Sequence, residues 1–375
     1  MDTNDTDKKL AIFDAFPSLE ERLPRIQLGS FPTPVVEYPE LAGALGIGAM
    51  YVKRDDLSHQ VYGGNKVRKL EFLLGEAKNR GYKKVITFGG IGSNHFLATT
   101  IHAASVGLKS VGVLVPQPVT EAVKRNMLCD AYYGAEMHLA GGYADATAMA
   151  LRVMAETTLK EGKPPFLIPT GGSSVAGVIG YISAAFELKQ QIDSGEVPEP
   201  DVIFVAVGTA GTASGLIAGC RAAGLKTRVV GVKVTDWVVG NTIVLSTLAN
   251  QAALKLFSMD RSFPVRIVTP FNVELLTDYF GKEYGRYTPE GIEAIEVVKQ
   301  KSGLKLEGVY TGKAFAGLIG TAQKEDFSNK TVLFWNTYNS ADMSGIASQR
   351  SSGDLPQEFR QFFECEEHTT ADVMC

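Results

Sequence analysis

The chain has 375 residues, with 37 Lys+Arg against 41 Asp+Glu for a formal charge of −4, long enough for two domains with self-sufficient cores. An ordinary composition of 45% apolar and 21% charged residues excludes a largely disordered chain, and the slight acidity supplies no basic stripe for nucleic acid. No apolar run approaches the ~20 residues of a membrane helix, and the acidic start at Met1 and Asp2 lacks the apolar core of a signal peptide.

Four scattered cysteines (Cys129, Cys220, Cys365 and Cys375) form no CxxC pair, which argues against disulfides or a cysteine metal site. In chain order, the first telling residue is Lys66, directly after Gly63-Gly64-Asn65 and opening a helical pattern over 67–80. A helix N-terminus repels a cation. Lys66 is therefore either a solvated surface residue or a functional amine, and a lysine of lowered pKa is what Schiff-base chemistry requires. A β-branched run at 85–88 then enters Gly89-Gly90-Ile91-Gly92-Ser93-Asn94-His95 and leaves as a helix over 94–105. Two readings of this loop stay open: Ser93 as a helix cap, or Ser93, Asn94 and nearby amides as a carboxylate pocket. His95 and His102 can share a helix face, but no HExxH or HxH spacing occurs, so no metal is expected.

Further apolar runs at 111–115, 166–168, 202–205, 229–232 and 332–334 suit strands buried on both faces of a parallel sheet. Helical patterns over 120–133, 145–159 and 173–190 alternate with them, which makes the chain α/β. The polar, Pro-rich stretch 193–200 is the clearest connector. After it, the run through 207 enters Gly208-Thr209-Ala210-Gly211-Thr212 and leaves as a helix, the layout in which open α/β sheets bind ligands. Helix-start amides and the Thr209 and Thr212 hydroxyls suit a phosphate. Without GxGxxG spacing or a following GK[ST], a single phosphate fits better than a dinucleotide or a triphosphate. The plainer reading is a tight connection built of small residues. Farther on, Thr288 reads as an N-cap, Pro289 as the first helical residue, and Ile292, Ile295 and Val298 as a core face. Residues 1–10 and 366–375 read as loosely ordered ends.

Together, Lys53-Arg54-Asp55-Asp56 and Gly63-Gly64-Asn65-Lys66-Val67-Arg68-Lys69-Leu70-Glu71 resemble the pyridoxal-phosphate lysine motif of the 1-aminocyclopropane-1-carboxylate deaminase/D-cysteine desulfhydrase family. The loop from Gly89 to His95 resembles the family's GGxxSN loop. Gly308-Val309-Tyr310-Thr311-Gly312-Lys313-Ala314 resembles its PVYTGKA segment, and Tyr284-Gly285 with Thr288-Pro289-Glu290-Gly291 the stretch before it. The resemblance implies a fold-type II, tryptophan synthase β-like enzyme of two open α/β domains, 1–66 with 183–375 and an inserted 67–182, with pyridoxal 5'-phosphate between them. It implies that Lys66 carries the cofactor covalently, that Gly208, Thr209, Ala210, Gly211 and Thr212 hold its phosphate, and that Lys69 adds a charge. Asn94 is implied to bond the ring hydroxyl, and Thr337 to face the pyridine nitrogen, which a hydroxyl leaves largely unprotonated. Ser93, Asn94 and His95 are the implied substrate-binding residues; Lys66, Ser93, Tyr284 and Tyr310 are the implied catalytic set.

Cyclopropane deaminases carry Glu where this chain has Thr311 and lack a Thr at the position of Thr337. The two threonines therefore favour β-elimination, with D-cysteine giving pyruvate, ammonia and sulfide. The chain departs from the family at Asn336-Thr337-Tyr338-Asn339 (His-Thr-Gly-Gly in the family), at Phe96-Leu97-Ala98 after His95, and at Gly308 in place of Pro. Cyclopropane deamination is the alternative within the family, and a non-catalytic cofactor- or amino-acid-binding protein the alternative of another class. The retained Lys66 argues against the binder, and the missing dinucleotide fingerprint against a nicotinamide-dependent dehydrogenase. A cytoplasmic homodimer acting on a small amino acid, with no nucleic-acid or membrane partner, is the expected setting.

Overall fold

The computed structural model describes residues 9–364; Cys365, Cys375 and nearly all of the two ends expected to be loosely ordered lie outside them. The described chain divides into two compact units. The larger holds the described residues up to Phe72 together with Ser173–Ser340. The smaller holds Leu73–Gly172 and the described residues from Ala341 onward. Among the described residues ten strands run in chain order: β1 (Val35–Glu37), β2 (Ala49–Arg54), β3 (Lys84–Gly90), β4 (Lys109–Val115), β5 (Glu136–Leu139), β6 (Phe166–Leu167), β7 (Val202–Val207), β8 (Arg228–Lys233), β9 (Glu274–Leu276) and β10 (Thr331–Asn336).

In the larger unit the sheet order is β1-β2-β10-β7-β8-β9, parallel throughout except for β1. β7 shows why its sequence is an unbroken apolar run. Ile203, Val205 and Val207 pack with Val178 and Ile182 of the helix Val175–Asp193 and Leu216 of the helix Gly211–Ala222. Val202, Phe204 and Ala206 pack with Val298 of the helix Pro289–Ser302 and Phe315 of the helix Thr311–Ala322. Strand side chains alternate between faces, and here both faces are covered. Each fully buried Val, Leu or Phe contributes ~1.5–3 kcal/mol.

One buried polar cluster interrupts this core. The Arg68 guanidinium bonds Asp55 and Glu187, each at 2.7 Å, and Lys53 Nζ lies 2.6 Å from Glu187. Tyr181 O–H and Trp335 Nε1–H donate to Asp55 Oδ2 at 2.6 and 2.7 Å. The cluster joins the end of β2, the helix Asn65–Asn79, the helix Val175–Asp193 and β10. Burial alone would raise the Glu187 carboxyl, yet Arg68 and Lys53 hold it down at about 2.

In the smaller unit the sheet order is β5-β4-β3-β6, all parallel. Ile86, Val111 and Val113 pack with Ala146, Ala150 and Val153 of the helix Tyr143–Glu161. Leu114 packs with Phe96, Val123 and Met127 on the other side. Leu355 and Phe359 join that second cluster, which explains why the chain beyond Ala341 groups with the smaller unit rather than with the 183–375 segment expected to hold it.

Helix starts follow their caps: Ser93, Thr120, Ser174, Asn241 and Thr288 each accept the amide three residues on. The helix Pro289–Ser302 corrects one expectation, because Ile292 is exposed and the buried face is Gly291, Ala294 and Val298. Steps of three residues lag the helix by about 60° each, so Ile292 lies about 120° around from Val298. Cys129 and Cys220 are buried free thiols pushed up to about 12, chiefly by burial. Among the described residues no helix is long and apolar enough to cross a membrane.

Candidate active site

β2, β10 and β7 are parallel neighbours, so the turns that follow them leave from one edge of the sheet, where open α/β sheets place ligands. Lys66 is the second residue of the helix Asn65–Asn79. Its helix start is fastened to two of those turns. The Gly64 N–H donates to Asp55 O (2.8 Å), and the Asn65 N–H to Thr337 O (3.1 Å). The Gly63 N–H donates to Asn339 Oδ1 at 2.9 Å. Gly64 has φ +90°, and a β-carbon there would lie 2.9 Å from Thr337 O, so only glycine fits. The Asn336-Thr337-Tyr338-Asn339 segment, unlike the family's in sequence, thus serves the lysine loop through the Thr337 carbonyl and the Asn339 side-chain oxygen. Burial lowers the half-buried Lys66 amine to about 8, with Glu307 opposing; roughly a tenth of it is neutral at pH 7. Lys69 is buried, and burial followed by Lys66 pushes its amine well below the ordinary value.

After β7 the chain turns through Ala210, in the left-handed region at φ +67°, into the helix Gly211–Ala222. A non-glycine residue there costs ~1–2 kcal/mol. Ala210 offers no side-chain cap; instead Ser173 Oγ accepts the Gly211 N–H at 3.1 Å and lies 2.7 Å from Thr209 Oγ1. Asn65 Nδ2–H donates to Thr212 Oγ1 at 3.0 Å. A β-carbon on Gly211 would sit 2.6 Å from Ser173 Oγ and 3.0 Å from Lys69 Nζ. The loop is therefore a glycine-lined cradle of hydroxyls and helix-start amides beside the buried Lys69 amine, the donor set a phosphate requires. A dianion would also offset the desolvation of Lys66 and Lys69, the second of which is lowered further by the charge of the first. On both counts the residues fit a pyridine cofactor carrying one phosphate.

Tyr284 and Tyr310 place their hydroxyls 2.6 Å apart with rings edge to face. Thr311 is buried, and its Oγ1 accepts the Glu307 N–H at 2.9 Å. In the smaller unit, Ser93 is the N-cap of the helix Asn94–Ser105, its Oγ accepting the Phe96 N–H at 3.2 Å. Asn94 Oδ1 accepts from Asn126 Nδ2 at 3.0 Å, and the buried His95 ring has Nε2 3.0 Å from Thr87 Oγ1 on β3.

Within the larger unit, Lys66, Lys69, Gly208, Thr209, Ala210, Gly211, Thr212, Tyr284, Tyr310 and Thr337 stand on segments joined by the contacts above or, for the tyrosines, on a pair of their own; Ser93, Asn94 and His95 belong to the smaller unit. Sequence reasoning missed Ser173, Asn65 as a partner of Thr212, and Glu307. The glycine pair Gly171-Gly172 before Ser173 was its one local signal; for Glu307 there was only a carboxylate just before a helix start.

Comparison with known proteins agrees with this geometry. The chain matches the family described as pyridoxal-phosphate dependent enzyme over residues 26–337. It is 34% identical over 321 residues to a D-cysteine desulfhydrase of Salmonella newport, covering 84% of this chain and 94% of that one. It is 36% identical over 323 residues to a Pyrococcus abyssi protein provisionally named a 1-aminocyclopropane-1-carboxylate deaminase, covering 85% and 93%. The crystal structure of an ACC deaminase homologue has a TM-score of 0.76 at 33% identity, covering 91% of this chain and 98% of the other. Fold and site define a pyridoxal-phosphate enzyme of fold type II. The chain belongs to the 1-aminocyclopropane-1-carboxylate deaminase/D-cysteine desulfhydrase family, as its motifs led one to expect, and pyridoxal 5'-phosphate is its cofactor.

Proposed function

We propose that the protein eliminates the β-substituent of D-cysteine, or of another amino acid with a leaving group on Cβ, yielding a keto acid, ammonia and the leaving group; D-cysteine gives pyruvate and sulfide. The observation that carries this reading is the Lys66 amine, lowered to about 8 by burial, on a helix whose Asn65 and Lys69 reach the Gly208–Thr212 cradle. When bound, pyridoxal phosphate supplies the electron sink that stabilises a carbanion at the substrate's α-carbon. Lys66 would anchor the cofactor, and its Nζ as a neutral amine would take the α-proton. Gly208 through Thr212 and Lys69 hold the phosphate. On the family pattern, Thr337 would serve the pyridine nitrogen and Asn94 the ring hydroxyl, and Ser93, Asn94 and His95 would serve the substrate. The paired hydroxyls of Tyr284 and Tyr310 suit delivery of a proton to the departing sulfur. We place this enzyme in the cytoplasm as a homodimer. Supporting the dimer, Ile243 and Leu254 stand exposed on one side of the helix Thr242–Met259, and Phe271 is 99% exposed nearby in the chain.

Cyclopropane ring opening is the second reading, favoured by the name of the Pyrococcus relative and opposed by Thr311, whose hydroxyl is engaged with the Glu307 backbone. D-cysteine or a β-substituted analogue is expected to release pyruvate and ammonia, with the cyclopropane amino acid reacting poorly. Keto-acid release across D- and L-amino acids checks this. Good turnover of the cyclopropane substrate with every β-substituted amino acid inert would reverse the assignment.

Thr212→Val tests the cradle. A hydrogen bond to a charged group is worth ~1.5–3 kcal/mol, so cofactor affinity is expected to fall by about one to two decades. Absorbance titration of cofactor-free protein reads it; unchanged affinity would make the loop merely structural.

A further inference from the structure

We propose that Glu307 is a positioning residue of this site: its carboxylate fixes the turn that presents Tyr310 to Tyr284, and its negative charge acts on Lys66. The inference rests on the functional reading above for what the tyrosines and Lys66 do. Glu307 Oε1 accepts the N–H groups of Tyr310 and Thr311 at 2.6 and 2.8 Å, and Oε2 accepts that of Val309 at 2.8 Å. Thr311 Oγ1 accepts the Glu307 N–H in return, so carboxylate and hydroxyl close the turn reciprocally, as in a capping box. The helix Thr311–Ala322 has Tyr310 at its N-cap, without a side-chain cap. Glu307 supplies the missing oxygens from upstream and thereby sets the backbone of the residue whose hydroxyl stands 2.6 Å from Tyr284.

A cap does not need a charge, since Ser and Asn serve as well. At Glu307 burial raises the carboxyl, against the pull of the Thr311, Val309 and Tyr310 amides, while three backbone N–H donors on its two oxygens favour the ionised form. Two amines feel its charge. Burial lowers both Lys66 and Lys313 to about 8, and in both Glu307 is the group that opposes the fall. Lys313 Nζ donates to Phe280 O at 2.7 Å, in the segment that leads to Tyr284. One carboxylate thus bears on both tyrosine segments and on the lysine. Lys69 is coupled to this set as well, its amine lowered by the charge of Lys66.

Glu307→Gln keeps an acceptor for Tyr310 and Thr311 but removes the charge. In cofactor-free protein, the pH midpoint for arylation of Lys66 by fluorodinitrobenzene, read by peptide mapping, is expected to fall by about one unit from the wild-type value. Glu307→Asp, which keeps the charge on a shorter arm, is expected to lower it less, and it supplies the reading should the Gln variant not fold. In both, kcat for β-elimination falls more than KM changes. A midpoint unchanged in Glu307→Gln, or lowered equally in both variants, would overturn the inference, because loss of a merely structural cap does not follow charge. In Glu307→Asp alone, a midpoint lowered by about a full unit would overturn it too, because the charge is retained there. The midpoint is read without substrate, so the expected shifts in a protein inert towards every β-substituted amino acid would support Glu307's role while sinking the functional reading.

Discussion

Lys66→Ala is expected to abolish turnover while leaving cofactor binding partly intact. The amine has two tasks in the proposed reaction, anchoring the cofactor and moving the α-proton, and loss of a positioned base alone costs ~10²–10⁴ in rate. Burial has brought this amine to about 8, near the pH at which a base works best, and the neighbouring Lys69 is a poor substitute because its Nζ lies by Gly211 in the cradle. The contacts of Gly208 through Thr212 do not depend on Lys66. The variant should therefore bind pyridoxal phosphate reversibly, lose the absorbance of the lysine-bound form, and release no keto acid. Wild-type turnover in this variant would mean that another group is the base.

The second large effect is on stability. Arg68→Met removes the cation that holds Asp55 and Glu187 together in the core, each at 2.7 Å. Breaking a buried pair from one side leaves uncompensated charge and costs ~3–5 kcal/mol. Lys53, 2.6 Å from Glu187, compensates one carboxylate but leaves Asp55 with only the Tyr181 and Trp335 donors and Thr33. Urea unfolding reads the loss. Acid adds a sign test. Folded Glu187 binds its proton at about 2, below the ordinary ~4.3 of an unfolded Glu. Its stabilisation is therefore complete above that ordinary value and is lost as pH falls from there to about 2. Without Arg68 the folded value rises, and less of this acid-sensitive stabilisation remains to be lost. A variant as stable as wild type would show that the cluster does not hold the Lys66 helix in place.

Much of this molecule is legible in its sequence where burial is two-sided or a cap is local. β7 and β10 read as strands because alternating side chains reach two apolar cores, and Ser93 and Thr288 cap helices with oxygens three residues from their amides. β1 and β9 are three-residue elements with half-buried or exposed side chains, too short for any period to register. β2 ends in Lys53 and Arg54, and charge there argues against a core strand; only folding brings Glu187 to Lys53. Lys66 announced itself by being a cation at a helix start. Ser173 and Glu307 did not, since the first matters through Gly211 and Thr209 across the fold and the second through a lysine far away in the chain.

On the proposed function, this fold carries pyridoxal phosphate on Lys66. Reduction of the purified, yellow holoprotein with borohydride, followed by peptide mapping, tests it most directly. One label per chain on Lys66, absent from every other lysine, is the predicted result; a label on Lys69, Lys313 or any other lysine would contradict it.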